Sequence, residues 1–420
     1  MIQTYELLPG VTFRVFTDNR FKQNCLSVQF IRPMKNEEAA YNALLPAVLL
    51  RGCETAPDMR DIILRLDDLY GASMGALVRR VGDYQTTGIS CSFISDRFCL
   101  EGDRILAPMV EFLGQILFHP VLEEGAFCRD YVKSEKKNLI ATIQAQKNDK
   151  RAYCSSQMLK KMCARDSYGI PRLGEVEGVR AITPASLYDH YQKVLRESPV
   201  EIFYVGQDPA GELPQLLKNL FANTDRSYVN LPPQTHFLSA GGGSYTEAMD
   251  IAQGKLCMGF SSEIDLRRED FAAMQVCNMV FGGGMTSKLF MNVREKMSLC
   301  YDIGSSFVGS KGILSVSAGI DCEKYQIVCD QIHAQLTAVC NGEITETELA
   351  SAKEALLSGL RGVHDSSGGI ENYYATAALS GLAMTPAEYM EKISAVDVAA
   401  VSAAAKTLKL DTVYFLKGVQ

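Results

Sequence analysis

Histidine is scarce in this 420-residue chain: the five are His119, His190, His236, His333 and His364, and no two lie within a helical turn of each other. A sequence-local His-x-x-x-His zinc pair is therefore excluded, because ligation needs several donors in one small volume. His119 precedes Pro120 at the end of a helical pattern and His190 stands beside Tyr191 in a polar one, so both read as capping or surface residues. Cysteine is plentiful but unpatterned. The thirteen thiols are scattered and form no Cys-x-x-Cys pair, so neither a zinc knuckle nor a dithiol redox motif is spelled out. Buried thiols in a reducing compartment are the plain reading.

Other absences narrow the function. No Gly-x-Ser-x-Gly elbow occurs, and FGGGMTSKLF at 281–290 lacks the Gly-Lys-Ser/Thr ending of a phosphate loop and follows an apolar helix rather than a strand. Its three glycines instead let the backbone turn tightly or let another segment approach. GGGSYTEA at 241–248 reads as linker for the same reason. No run approaches eighteen uninterrupted apolar residues, and MIQTYELLPGVTFRVFTDNR lacks a basic region followed by a long apolar core, so the expected compartment is cytoplasmic, with no membrane partner. Lys and Arg number 42 against 49 Asp and Glu, and the net charge of -7 without any basic block disfavours nucleic acid.

What is present is an ordinary globular composition, 47% apolar and 22% charged, in a chain long enough for at least two cores. The chain also looks written twice. AITPASLYDHYQKV at 181–194 has a counterpart in AMTPAEYMEKISAV at 383–396, each opening on a Thr N-cap and a first-turn Pro. Each is followed by an apolar strand ending in glycine, VEIFYVG at Gly206 and DTVYFLKG at Gly418. CLSVQFIRP from Cys25 precedes a helix near 37–50, and KLCMGFSSEI from Lys255 precedes a helix over REDFAAMQVCNMVF. The strands TGISCSFIS (87–95) and ILSVSAGID (313–321) and the helices at 103–118 and 323–339 also correspond.

Repeated order at one offset implies two copies of one fold. Domains are expected at 1–220 and 251–420 with a linker at 221–250, where Pro, Gly and Ser collect. Strands and helices mix without a strict βαβ rhythm, so the expected class is α+β, twice, each copy an antiparallel-rich sheet with helices packed on one side.

One pair of residues suggests chemistry. In REKMSLCY, Arg294 lies toward the end of a segment that reads as a helix, SKLFMNVREK, and Tyr301 opens the extended run YDIGSSF. An Arg can clamp a peptide carbonyl or carboxylate and a Tyr hydroxyl can donate to a developing oxyanion. On the residues alone, an Arg in a surface ion pair and a Tyr lining a core is the favoured reading, because such pairs are common and catalytic constellations rare. Cys300 as a nucleophile would need a base within hydrogen-bond reach, and no histidine is near it in sequence.

These phrases resemble the insulinase/pitrilysin-type zinc peptidase superfamily, in its mitochondrial-processing-peptidase-like branch, over essentially the whole chain. Active members carry His-x-x-Glu-His on a helix, followed by apolar residues and Arg/Lys-Gly-Thr. Here ALLPAVLLRGC takes that place, with Ala43 and Ala47 at the histidine positions and Pro46 at the general-base glutamate. The family's third ligand lies in a helix of the form Glu, six residues, Glu-Ile; in EKKNLIATI, Glu135 matches the supporting acid and Thr142 occupies the ligand position. Alanine and proline offer no donor and neutral threonine is a poor zinc ligand, so no metal is expected on this chain.

By contrast, FGGGMTSKLFMNVREKMSLCYDIGSS is similar to the second-domain signature, with Arg294 and Tyr301 at the Arg/Tyr pair that binds substrate backbone and stabilises the tetrahedral intermediate. TPASLYDHY, FYVGQDP at 203–209 and DSYGIPRLGE at 166–175 fit the first-domain pattern. The resemblance implies a zinc-free subunit of a heterodimeric metallopeptidase, acting in trans on a peptide held by a partner that brings zinc and His-x-x-Glu-His. It does not imply an autonomous zinc peptidase. A non-catalytic scaffold or peptide-binding protein with the same fold is the alternative. The chain is also similar to bacterial insulinase-like proteins associated with aminopentanol modification of elongation factor P.

Overall fold

The computed structural model describes residues 2–100, 102–208, 211–222 and 224–418; Pro209, the end of the FYVGQDP phrase, lies outside them. Two compact units emerge, each assembled from separated stretches: Met1–Gln144, Ile170–Pro233 and His364–Thr376 in the first, and Ala145–Gly169, Gln234–Val363 and Ala377–Gln420 in the second.

Among the described residues the first unit is built on a six-stranded sheet. Its strands are β1 (Gln3–Leu8), β2 (Val11–Thr17), β3 (Gln23–Pro33), β4 (Ser73–Val81), β5 (Tyr84–Ile94) and β8 (Val200–Gly206), in the order β1-β2-β8-β3-β5-β4. A small hairpin, β6 (Leu122–Glu123) with β7 (Ala126–Phe127), stands apart. All neighbours in the large sheet are antiparallel except β2 and β8. Because strand side chains alternate, Leu26, Val28 and Phe30 of β3 face one way. There they join a core with Leu44 and Val48 of α1 (Asn36–Leu49), Leu113 and Ile116 of α3 (Leu106–Phe118) and Val194 of α7 (Pro184–Glu197). Around these run α2 (Met59–Asp68), α4 (Arg129–Ala145), α6 (Val176–Ala181) and α8 (Leu213–Ala222).

The second unit has a five-stranded sheet of β9 (Gly243–Met249), β10 (Gly254–Ser261), β11 (Cys300–Val308), β12 (Ile313–Ile320) and β13 (Lys409–Gly418), ordered β11-β12-β10-β13-β9. Only β13 and β9 are parallel. Leu256, Met258 and Phe260 of β10 share a core with Met274 of α9 (Phe271–Asn278), Ile332 of α10 (Tyr325–Cys340), Ala352 of α11 (Glu346–Gly362), Ile393 of α13 (Pro386–Ala395) and Val401 of α14 (Val398–Ala405). The fold is α+β in both units, as the sequence predicts.

Two features differ from the sequence reading. GGGSYTEA is not wholly linker: from Gly243 it forms β9, whose polar side chains suit an edge strand with one open side. Helices also do not keep to one face of each sheet. In the first unit, Glu371 of α12 (Ser367–Ser380) lies over Ser27 and Gln29, the β3 residues that alternate with the core set. In the second, Cys154, Met158 and Met162 of α5 (Lys150–Met162) pack on Cys257, Tyr414 and Leu416. A side chain at Gly259 would stand 2.5 Å from the Met158 sulfur, so this close approach requires the glycine.

Both Thr-Pro helices start as the sequence predicts. Thr183 accepts from the Ser186 amide and Thr385 from the Glu388 amide, each within a capping box with Pro at the first helical position.

Candidate functional site

Helix α1 presents the first candidate region. Ala43 and Pro46 are buried on it, and Ala47 is half-buried. Pro46 has no N–H to give to the carbonyl of Asn42, one turn back. That carbonyl instead accepts a 2.8 Å hydrogen bond from the Thr87 hydroxyl of β5, so the helix runs on to Leu49 without a buried orphan acceptor. Just past its end, Arg51 pairs with Glu135 of α4 at 3.3 Å and lies over the Tyr131 ring. Thr142, one position short of Ile143 on α4, is exposed and donates its hydroxyl to the Asn138 carbonyl at 2.9 Å.

Beside these positions lies a polar network that the sequence reading missed. The Asn42 side-chain amide donates to Gln85 at 2.9 Å, Gln85 donates to the backbone carbonyls of Ala39 and Arg172, and Nε2 of His190 on α7 meets the Asn42 side-chain oxygen, Oδ1, at 2.7 Å. Since the Asn42 oxygen accepts, His190 Nε2 carries the proton. His190 is thus buried rather than a surface residue, and burial pushes its pKa down to about 4. The signal was present: Leu187, His190, Tyr191 and Val194 form a buried stripe at helical spacing. Next to it, Glu38 is buried between Arg32 and Lys193. Burial pushes the Glu38 carboxyl up, but those cations outweigh it and hold it below the usual range.

The second unit holds the Arg/Tyr pair. The segment before it is helical as expected, but as wide π-turns at Met279–Gly283 and Leu289–Lys296. A Cβ on Gly282 would come within 2.7 Å of Leu289 and of the Ser305 hydroxyl, so this glycine serves close packing against β11. Arg294 reaches forward and donates from Nε to the Tyr301 carbonyl at 2.8 Å, stacks over Phe290 and pairs with Glu295 at 2.8 Å. Tyr301 is 59% exposed on the edge strand β11. Its hydroxyl donates to Asp321 at 2.9 Å, and Asp321 pairs with Lys324 at 2.9 Å. These residues line an open depression of about 390 Å³ with Ser298, Leu299 and Cys300. Burial, and then Asp302, push the Cys300 thiol up to about 11, which keeps it protonated and a poor nucleophile.

Comparison with known proteins places this geometry in a family. Residues 181–356 match the family described as Peptidase M16 inactive domain. A Bacillus subtilis (strain 168) protein named probable inactive metalloprotease YmfF is 28% identical over 411 residues, covering 98% of this chain and 96% of that one. A crystal structure of a conserved protein from Enterococcus faecalis V583 superposes with a TM-score of 0.93 at 30% identity, over 100% of this chain and 99% of that one. The peptidase M16 inactive domain from Pseudomonas fluorescens shares the fold, with a TM-score of 0.82 at 19% identity, over 100% and 98% of the two chains.

The chain belongs to the insulinase-like (M16) peptidase superfamily. Zinc, the family's metal, does not fit the residues this member presents at the motif. Ala43, Pro46 and Ala47 carry no donor, the Thr142 hydroxyl is given to its own helix and the Glu135 carboxylate is paired with Arg51. Among the described residues no group of three or more His, Cys, Asp or Glu is placed to hold a metal ion. This M16 chain is therefore a peptidase-fold member without the family's zinc ligands and general base.

Proposed function

We propose that this chain is the zinc-free subunit of a two-chain M16 peptidase. It would supply a peptide-binding wall with Arg294 and Tyr301, and a homologous partner with an intact His-x-x-Glu-His motif would supply the zinc. The observation that carries the reading is selective loss. Ala43, Pro46 and Ala47 carry no donor and Thr142 only a neutral hydroxyl bonded to its own helix, while Arg294 remains joined to the Tyr301 backbone carbonyl by a 2.8 Å hydrogen bond at an open depression. In that role the Arg294 guanidinium binds a substrate carbonyl and the Tyr301 hydroxyl donates to the oxyanion that forms on the scissile carbonyl. The zinc and its activated water come with the partner. The compartment that goes with this reading is the cytoplasm.

Native mass spectrometry of the endogenous assembly tests the arrangement. A one-to-one complex holding one zinc in a His-x-x-Glu-His partner is expected. A stable zinc-free homodimer as the sole species would overturn it. In the complex, Tyr301→Phe should cut peptide hydrolysis by about a hundredfold, the usual cost of one oxyanion donor. A second reading, a scaffold or peptide-binding protein, draws its support from the engagement of the Tyr301 hydroxyl with Asp321.

A further inference from the structure

A phenol hydroxyl has one proton and donates one strong hydrogen bond at a time. At Tyr301 that bond goes to a carboxylate, Asp321 Oδ1, at 2.9 Å. The contact sits at an irregularity in the antiparallel β11/β12 pair: Cys300 lies opposite Ile320 and Asp302 opposite Gly319, which leaves Tyr301 as the extra residue of a bulge, and its hydroxyl reaches Asp321, the residue that follows the end of β12. Lys324, three residues after Asp321, pairs with its other oxygen at 2.9 Å and reaches toward the Ser298 carbonyl. Arg294, Glu295 and Cys300 are the remaining ionisable groups around the depression.

We propose that Asp321 parks Tyr301, holding the proton that an oxyanion would need until bound peptide competes for it, with Lys324 setting how firmly it holds. This rests on the peptidase reading given above. A charge-assisted bond to a carboxylate is a strong competitor. By drawing negative charge from Asp321, Lys324 weakens that competitor and keeps the exchange reversible. The acidities agree with the contact: the hydrogen bond to Asp321 pushes the Tyr301 phenol above its ordinary value, and Lys324, then Tyr301, hold the Asp321 carboxyl below its own.

Two measurements test the proposal. On the isolated chain, the Tyr301 ring resonance followed against pH should titrate at lower pH in Asp321→Asn than in the wild type, and at higher pH in Lys324→Met. In the purified complex, assayed with a panel of internally quenched peptides, Asp321→Asn should raise kcat/KM severalfold and Lys324→Met should lower it. Both effects should vanish in a Tyr301→Phe background. An unmoved phenol titration in Asp321→Asn overturns the parking. So does a loss of rate in Asp321→Asn, which would make Asp321 an aiming residue instead. Loss in Tyr301→Phe with no gain in Asp321→Asn removes the parking alone. A wild-type rate in Tyr301→Phe removes the peptidase reading itself, and the parking with it.

Discussion

The Thr87 hydroxyl donates a 2.8 Å hydrogen bond to the carbonyl of Asn42, the acceptor that Pro46 leaves without a helical partner. Both groups are buried. The proline that stands at the family's general-base position is thus accommodated by one hydroxyl from the neighbouring sheet. Thr87→Val should destabilise the first unit by about 1–3 kcal/mol, the cost of an unpaired buried carbonyl. Pro46→Ala restores an N–H one turn along, so in that background the same substitution should cost clearly less. Urea denaturation of the four proteins measures the coupling; equal costs in both backgrounds would refute the compensation.

His190 gives the first unit a pH dependence whose sign is fixed by its burial. Its folded-state pKa is pushed from 6.5 down to about 4, so the unfolded chain takes up the proton first as pH falls. Stability from this group is full above about pH 6.5 and is lost progressively towards pH 4, by on the order of 3 kcal/mol in all. His190→Gln keeps a donor for the Asn42 oxygen and does not titrate. Melting curves between pH 7 and 4 should therefore show a shallower fall in His190→Gln than in the wild type, and parallel curves would remove His190 as the cause.

The sequence disclosed the parts of this molecule that depend on local pattern. Thr183-Pro184 and Thr385-Pro386 announced their helices because an N-cap and a first-turn proline act within one turn. The seven-residue interval from Arg294 to Tyr301 was equally legible, since a side chain can span it to the Tyr301 carbonyl. Asp321 was not, because only the β11/β12 register carries it to a tyrosine twenty residues away. His190 was hidden by the polar Asp189 and Gln192 beside it, although its helical stripe pointed inward. The β9 strand was mistaken for linker because its glycines and polar side chains suit an edge, and edges lack the apolar alternation of a covered strand. Nothing in the run Cys154, Met158, Met162 said which sheet it would cover.

Lys311 and Asp166 form a buried ion pair at 3.0 Å, with side-chain exposures of 0% and 3%. Lys311 also donates to Thr235, and Asp166 accepts from the Leu238 and Tyr168 amides, so three separate stretches of the second unit converge on one charge pair. Removing either partner strands the other in a low-dielectric interior. Lys311→Met should cost about 3–5 kcal/mol of second-unit stability, and Asp166→Asn a similar amount. The double variant should recover part of that loss, because no lone charge remains buried. Denaturant midpoints decide it, and simple additivity would show that the two side chains do not act as a pair.

The two helices that cover the second faces of the sheets are held by different forces. On α5, Cys154, Met158 and Met162 make apolar contacts, which salt leaves largely intact. On α12, Glu371 is 3% exposed and accepts from both Arg79 terminal nitrogens at 3.0 and 2.8 Å, from Ser27 at 2.7 Å and from Gln29 at 2.9 Å. Four hydrogen bonds on one buried carboxylate mean that its loss leaves several donors unsatisfied at once. Ile370, packed with Phe16 and Val205, is the fully buried apolar anchor beside it. Glu371→Leu should therefore loosen α12 far more than the volume change suggests, with amide exchange over 367–376 accelerating by about a hundredfold, equivalent to about 2.7 kcal/mol. Exchange over α5 should stay at its wild-type rate. Were α12 to keep its protection in Glu371→Leu, Ile370 and its neighbours would be the true hold, and the polar network would be an accompaniment to apolar docking.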